Sequence, residues 1–282
     1  MFRRVTLIRT PLVEIVRTDH PPGALRYGTE EEREGVHAVT FVDEGEFGVG
    51  AGPRDWLLRE RGILISRPHA LYRYTHARHA VPDVCLTVRF ADGFDEACER
   101  ELAAAGIVPR VTNRTAFLRW RLTPLLDVGD AMAVDAWSAE LLTALSDDDG
   151  DRLHRPSQLR WYAERVDTVR ATLERRYAEP HTLASLASSV AISPFQFARV
   201  FRQLTGRPPH QYLMKVRLDA ARRMLLDGVS VTDACFDSGF SSLSHFIHVF
   251  KRRFGCTPSV IGRSAATAAA PSPARAASAG RP

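Results

Sequence analysis

TLASLASSVAISPFQFARVFRQLTGRPP (residues 182–209) and SVTDACFDSGFSSLSHFIHVFKRRFGCTP (residues 230–258) are one pattern written twice. In the first copy a short helix is expected from Thr182 to about Val190. It turns through Ala191 and Ile192 into a second helix that starts with Ser193 as N-cap and Pro194 at its first position. Phe197, Val200, Phe201 and Leu204 fall at i, i+3, i+4 and i+7, which makes one apolar stripe and leaves Gln196, Arg199, Arg202 and Gln203 elsewhere on the surface. Gly206 ends the helix.

In the second copy Ser230 matches Thr182 and Gly239-Phe240 matches Ala191-Ile192 at a shift of 48 residues. Beyond the turn the shift is 49: Phe246, Val249 and Phe250 overlie Phe197, Val200 and Phe201, Gly255 overlies Gly206, and Pro258 overlies Pro209. The second turn therefore holds one extra residue. Repetition of a supersecondary unit is a statement about the whole architecture. Here it predicts two helix-turn-helix units in series. Between them Pro208-Pro209 opens a helix with Tyr212, Leu213, Val216, Ala220 and Met224 on its buried stripe, stopped by Gly228. About 16 residues of helix span about 24 Å. Ahead of the first unit, Leu159, Tyr162, Val166, Val169, Leu173 and Tyr177 mark the buried face of a further helix.

Charge follows the same division. Residues 157–263 carry 16 Lys and Arg against 8 Asp and Glu, whereas residues 1–156 carry 20 against 25. A basic helical part behind an acidic one is the asymmetry expected when one domain meets a polyanion, because phosphate neutralisation dominates nucleic-acid affinity. A helix-turn-helix lays its second helix in the major groove, and two such units on one chain can occupy successive grooves about 34 Å apart. In the first unit Arg199 is the candidate for bidentate contact with guanine, Gln196 for adenine or phosphate, Phe195 for a thymine methyl, and Arg202 and Gln203 for phosphate. In the second, Ser244 replaces Phe195 and His248 replaces Arg199, with Ser242, Leu243 and His245 nearby and Lys251 and Arg252 on phosphate. The first unit is expected to carry more of the sequence discrimination and the second more of the positioning.

The first part of the chain reads as β-rich. Short β-branched or aromatic runs (residues 36–42, 47–49, 63–65 and 84–90) are separated by Gly and Pro, the spacing of a sandwich or barrel. An effector pocket lined by Phe41, Trp56, His69, Tyr72 and Tyr74 is expected within it. His37, His69, His76 and His79 show no metal-ligand spacing, so neither a metal nor another cofactor is expected. Helices are expected over residues 95–105, closed by Gly106, and over 124–145, where Leu125, Val128, Met132, Ala136, Ala139, Leu142 and Leu145 recur every three or four residues. The latter stripe serves either an internal contact or a homodimer seam.

The expected domains are a β-rich domain over 1–150, a linker over 151–157, the double helix-turn-helix domain over 158–263, and a disordered Ala/Pro/Ser tail over 264–282. Cys85, Cys98, Cys235 and Cys256 form no C-x-x-C pair, and the N-terminus has no apolar signal core. A cytoplasmic protein without a membrane span is expected.

The motifs D-x-G-F-S-S, F-x-x-x-F-K-R-x-F-G and the closing T-P of residues 230–258 resemble the AraC/XylS family of bacterial transcription regulators. The resemblance covers about residues 157–263. It implies a seven-helix, two-headed domain that binds double-stranded DNA, commonly as an activator contacting RNA polymerase. Leu243 stands where that family usually has a polar residue and His248 where it usually has Arg. More loosely, residues 41–74 resemble the family's cupin-like sensing domains, without the His-x-His motif of metal-binding cupins. The fold implied is thus α+β in two domains: a cupin-like β-barrel or sandwich with following helices, then an all-α domain. The function implied is a non-enzymatic regulator controlled by a small-molecule effector. Its alternatives are a regulator whose N-terminal domain serves only dimerisation or protein contact, and a cupin-type enzyme or Cys85- or Cys98-based alkyl acceptor fused to a DNA-binding domain.

Overall fold

Alternating apolar residues in the first part of the chain produce a sheet that is buried on both faces. The computed structural model describes residues 3–20, 31–33, 35–75, 83–91, 96–146 and 150–269. Nine strands, β1 (Arg3–Arg9), β2 (Val13–His20), β3 (Glu31–Arg33), β4 (Ala38–Glu44), β5 (Glu46–Ala51), β6 (Arg54–Arg59), β7 (Ile63–Ser66), β8 (Leu71–Thr75) and β9 (Asp83–Phe90), make two sheets among the described residues. Their orders are β1-β2-β9-β4-β7 and β3-β8-β5-β6, with every pair antiparallel. Along β4, β7 and β9, Val39, Phe41, Ile63, Ile65, Leu86 and Val88 join one apolar cluster, while Val42, Leu64 and Cys85 join another. This is the period of two that sends successive side chains to opposite faces. The second cluster is completed by Phe47, Val49, Leu58 and Tyr72 of the four-stranded sheet, so the two sheets form a sandwich.

The other face of the five-stranded sheet is covered by α1 (Glu96–Ala105), α2 (Asn113–Val128) and α3 (Ala131–Leu145) through Leu102, Leu118, Leu122, Val134, Trp137 and Leu141. The single helix expected over 124–145 is therefore two helices. Gly129 takes a left-handed conformation (φ 72°) that caps α2, and the Asp130 side chain accepts from Ala133 N at 3.1 Å to start α3. The expected stripe fails at this break: Val128 is 77% and Met132 81% exposed. The first half of α2 had no sequence signal because its capping box pairs Thr112 with Thr115, where Glu or Gln is the usual partner.

Seven helices follow: α4 (Pro156–Arg175), α5 (Leu183–Ser189), α6 (Pro194–Thr205), α7 (Pro209–Leu226), α8 (Val231–Asp237), α9 (Leu243–Phe254) and α10 (Pro258–Ala269). The connector α7 has 18 residues, about 27 Å of helix. Its Leu218, Ala221 and Leu225 pack with Ala234, Cys235, Phe240, Phe246, Val249 and Phe250. Towards its start, Tyr212 meets a buried cation of α4. Arg170 Nε donates to Tyr212 Oη at 2.9 Å, and its Nη1 and Nη2 reach Asp167 and Glu174, each at 3.2 Å. The Tyr212 hydroxyl in turn donates to Glu174. Helix α10 continues past Arg263 to Ala269, while the rest of the expected tail, like His76 and His79, lies outside the described residues.

By contacts between Cα atoms the chain divides into two compact units, Met1–Glu164 with Gln203–Gly206, and Arg165–Arg202 with Arg207–Pro282. The architecture is α+β, a β-sandwich followed by helices and then an all-helical part, as the residue patterns lead one to expect. No helix among the described residues is long and apolar enough to cross a membrane.

Candidate nucleic-acid interface

Each reading helix is aimed by a capped short helix and a left-handed turn. In the first unit Thr182 and Ser185 make a reciprocal capping box, with Ser185 N donating to Thr182 Oγ1 at 3.0 Å and Thr182 N to Ser185 Oγ at 3.1 Å. Ala191 then takes φ 54°, and Ile192 N donates back to Ala187 O at 3.1 Å. Ser193 Oγ accepts weakly from Gln196 N at 3.4 Å, and α6 begins. In the second unit Ser230 Oγ accepts from Asp233 N at 3.1 Å, Gly239 takes φ 87°, and Phe240 N returns to Cys235 O at 3.2 Å. Ser242 caps α9 through His245 N at 3.4 Å.

Burial then decides which side chains are presented. Phe197, Val200, Phe201 and Leu204 of α6 are wholly buried, as are Phe246 and Phe250 of α9. Their rings stack edge-on along each helix, with centroids 5.5 Å apart for Phe197–Phe201 and 5.4 Å for Phe246–Phe250. With those stripes turned inward, Phe195 (83% exposed), Arg199 and Arg202 face solvent, and Gln196 and Gln203 are half-buried. On α9, Ser244, His245, His248, Lys251 and Arg252 are exposed, as is the capping Ser242. Leu243 is half-buried against the apolar cluster of α7–α9, so an apolar residue at the helix start packs rather than projects. The neighbouring Arg253 is tied to Asp219 of α7 at 3.4 Å, and its guanidinium lies 5.6 Å from the Phe254 ring centroid.

Of the five residues expected to line an effector pocket, Trp56, Tyr72 and Tyr74 come together on the inter-sheet cluster, while Phe41 and His69 lie elsewhere. Tyr72 is buried, with its hydroxyl accepting from Arg67 N at 3.0 Å, and Trp56 and Tyr74 pack half-buried on the inter-sheet cluster. His69 is exposed in a turn with φ 64°. Phe41 belongs to the opposite cluster and lines a cavity of about 100 Å³ with Asp43, Arg61, Val111, Arg119 and Leu159. The polar members of that cavity escaped the sequence reading, because residues 43, 61 and 119 meet only through tertiary folding.

Cys85 and Cys235 are buried, whereas Cys256 is half-exposed and the side chain of Cys98 lies outside those described. Burial, with the charges of Asp83 and Asp43 adding to it, pushes the Cys85 thiol up to about 12, and burial also raises Cys235. Among the described residues no group of three or more His, Cys, Asp or Glu comes together as a metal site.

Residues 186–264 match a family described as a helix-turn-helix domain. The chain is 32% identical over 126 residues to the HTH-type transcriptional regulator ArgR of Pseudomonas aeruginosa, covering 44% of this chain and 38% of that one. It is 34% identical over 97 residues to the HTH-type transcriptional activator RhaS of Escherichia coli O157:H7, covering 34% and 35%. Similarity to the HTH-type transcriptional regulator YbfI of Bacillus subtilis is lower, 25% identity over 219 residues, but reaches 74% of this chain and 78% of that one. The chain thus spans little more than a third of the length of ArgR and RhaS. These relatives are named as transcription regulators, not enzymes. Through its C-terminal helical domain, this chain belongs with the AraC-family helix-turn-helix transcription regulators.

Proposed function

We propose that this protein is a cytoplasmic transcription regulator, activating its target genes, that reads double-stranded DNA with α6 and α9 under control of a small molecule held by the N-terminal unit. The observation that carries the DNA reading is the repeated burial of one stripe on each of two helices, with Arg199, Arg202, Lys251 and Arg252 left exposed. The DNA-binding domain comprises residues 158–263 behind a linker at 151–157, whose last two residues, Pro156 and Ser157, already open α4. In α6, Arg199 pairs with a guanine, Phe195 meets a thymine methyl, Gln196 addresses adenine or phosphate, and Arg202 and Gln203 hold phosphate. In α9, His248 with Ser242, Ser244 and His245 offers weaker base recognition, while Lys251 and Arg252 position the duplex. Leu243 serves mainly to seat the helix.

Site selection followed by binding titrations tests the division of labour. Arg199→Ala should cost about 1–3 kcal/mol on the selected site and relax preference at one position, whereas Lys251→Ala should weaken all sequences alike and lower the salt slope by about one. Greater loss of preference from His248→Ala than from Arg199→Ala would overturn the assignment of discrimination to the first head.

Activation has the support of the name of RhaS, a transcriptional activator, and implies a contact with RNA polymerase. A homodimer through the segment 124–145 is favoured by one specific observation, the exposed Val128 and Met132 on either side of the α2–α3 break. Sedimentation of wild type and a Val128→Glu/Met132→Glu variant tests it: equal mass at equal concentration removes the seam.

A further inference from the structure

We infer that the cavity bounded by β4, β7 and the start of α2 is a binding site for a small aliphatic monocarboxylate, with Arg61 as the carboxylate's partner. The inference rests on the reading of the N-terminal unit as the effector-holding part of the chain and names the chemical class it takes. The walls are apolar on several sides, with Phe41, Ile63, Val111 and Ala116 among the lining residues. Three charged side chains share the space: Asp43, Arg61 and Arg119. Two of them satisfy each other. Arg119 Nε donates to Asp43 Oδ1 at 2.9 Å, its Nη2 donates to Asp43 Oδ2, and its Nη1 reaches Thr123 Oγ1 at 3.3 Å. This two-pronged pairing neutralises the carboxylate that would otherwise repel an anion.

Arg61 is the unbalanced charge. Its Nη1 donates to His154 O at 3.2 Å, while Nη2 is buried without a hydrogen-bond partner, and no carboxylate pairs with it among the described residues. A guanidinium desolvated on one nitrogen and opposed only by a neutral carbonyl is costly unless an anion completes it. Its main chain is held in place for that role. Arg61 takes φ 70°, its N–H donates to Val42 O at 2.7 Å, and Val42 N donates to Gly62 O at 3.0 Å. The turn that supplies the cation is thereby clamped to the strand that supplies Phe41 and Asp43, so the charge is positioned before any ligand arrives.

Size restricts the class further. A cavity of about 150 Å³ admits benzene, and this one is about 100 Å³. A chain of about four carbons is the upper limit of size, with its carboxylate on Arg61 and its tail on Phe41, Ile63 and Val111. Phosphate or a sugar would leave those apolar walls without a partner.

The full-length chain is heated with butyrate, and with butyramide as the isostere that lacks the charge. At about ten times its Kd, butyrate should raise the apparent Tm by about 3–6 °C, saturably, and butyramide should not. Arg61→Gln should weaken butyrate by about ten- to hundredfold, and Arg61→Lys should recover part of the loss. If Arg61→Gln proves too unstable to compare, Ala116→Leu, which fills the space without touching charge, should abolish the butyrate shift. A butyrate shift that survives both Arg61→Gln and Ala116→Leu overturns the site, and an equal shift from inorganic phosphate overturns the ligand class. No shift with butyrate, alongside a saturable shift from an uncharged metabolite, overturns this assignment while leaving the effector reading in place.

Discussion

Gly239→Ala and Gly255→Ala make a matched pair, because the two glycines share a left-handed backbone, φ 87° and 75°, and differ in the space around them. A Cβ on Gly255 would meet nothing within 4 Å. On Gly239 it would lie 2.7 Å from Ala178 O and 2.8 Å from Ala178 Cα, main-chain atoms that cannot swing aside as a side chain tip would. The shared conformational cost is about 1–2 kcal/mol, offset in both by about 0.4–1 kcal/mol from the stiffer unfolded chain. Only Gly239→Ala adds an overpacking cost of about 1–3 kcal/mol. That difference is large against a total stability of about 5–15 kcal/mol. It is best read locally, by hydrogen exchange of the α8 and α9 amides in the full chain. Those amides should exchange about 5- to 150-fold faster in Gly239→Ala than in Gly255→Ala, since each 1.4 kcal/mol is tenfold. Because Gly239 sets the turn into α9, DNA affinity should fall with protection. Equal exchange in the two variants, within about twofold, would refute the reasoning that contact with Ala178 demands glycine there.

The buried Arg170 should behave as part of a unit. In urea denaturation Arg170→Ala should cost about 3 kcal/mol and Tyr212→Phe about 1 kcal/mol, with the double variant departing from additivity by at least about 0.5 kcal/mol; simple additivity would show that Arg170, Tyr212 and Glu174 do not act together. Cysteine accessibility should divide cleanly. N-ethylmaleimide at pH 8 with peptide mass mapping should modify half-exposed Cys256 and leave Cys85 and Cys235 untouched until urea is added. The same burial sets a pH dependence. The folded Cys85 holds its proton up to about 12, whereas the unfolded thiol releases it near its ordinary value. Stability should therefore fall as pH rises through that window, and the fall should be smaller in Cys85→Ala, where only the buried Cys235 keeps a raised value.

The helical half was legible because its signals are local. Caps at Thr182, Ser193 and Ser230, breaks at Gly206, Gly228 and Gly255, and stripes of period 3.6 are all written within a few residues of where they act. The β half was legible only where apolar runs were dense, as at β7 and β9. Strands β1 and β2 went unread because β1 carries arginines and lies mostly exposed at the sheet edge. The α2–α3 break was missed although Gly129-Asp130 is a stop followed by a cap, because apolar residues on both sides happened to keep helical spacing across it. The exposed positions of α6 and α9 followed directly from their stripes. For the cavity, Asp43, Arg61 and Arg119 lie on β4, a turn and α2, and nothing in the linear order links them.

Helix α7 has a consequence for how such a chain can change. An α-helix advances 1.5 Å and turns 100° with each residue, so the connector acts as a shaft that fixes angular phase as well as distance. Substitution at its outward positions leaves that phase alone. Inserting or deleting one residue would turn one head by 100° relative to the other, and only steps of a whole number of turns, such as 18 residues, restore the setting. The 18-residue length of α7 is itself five full turns, which makes its length, more than its composition, the quantity that a change in operator spacing would have to alter.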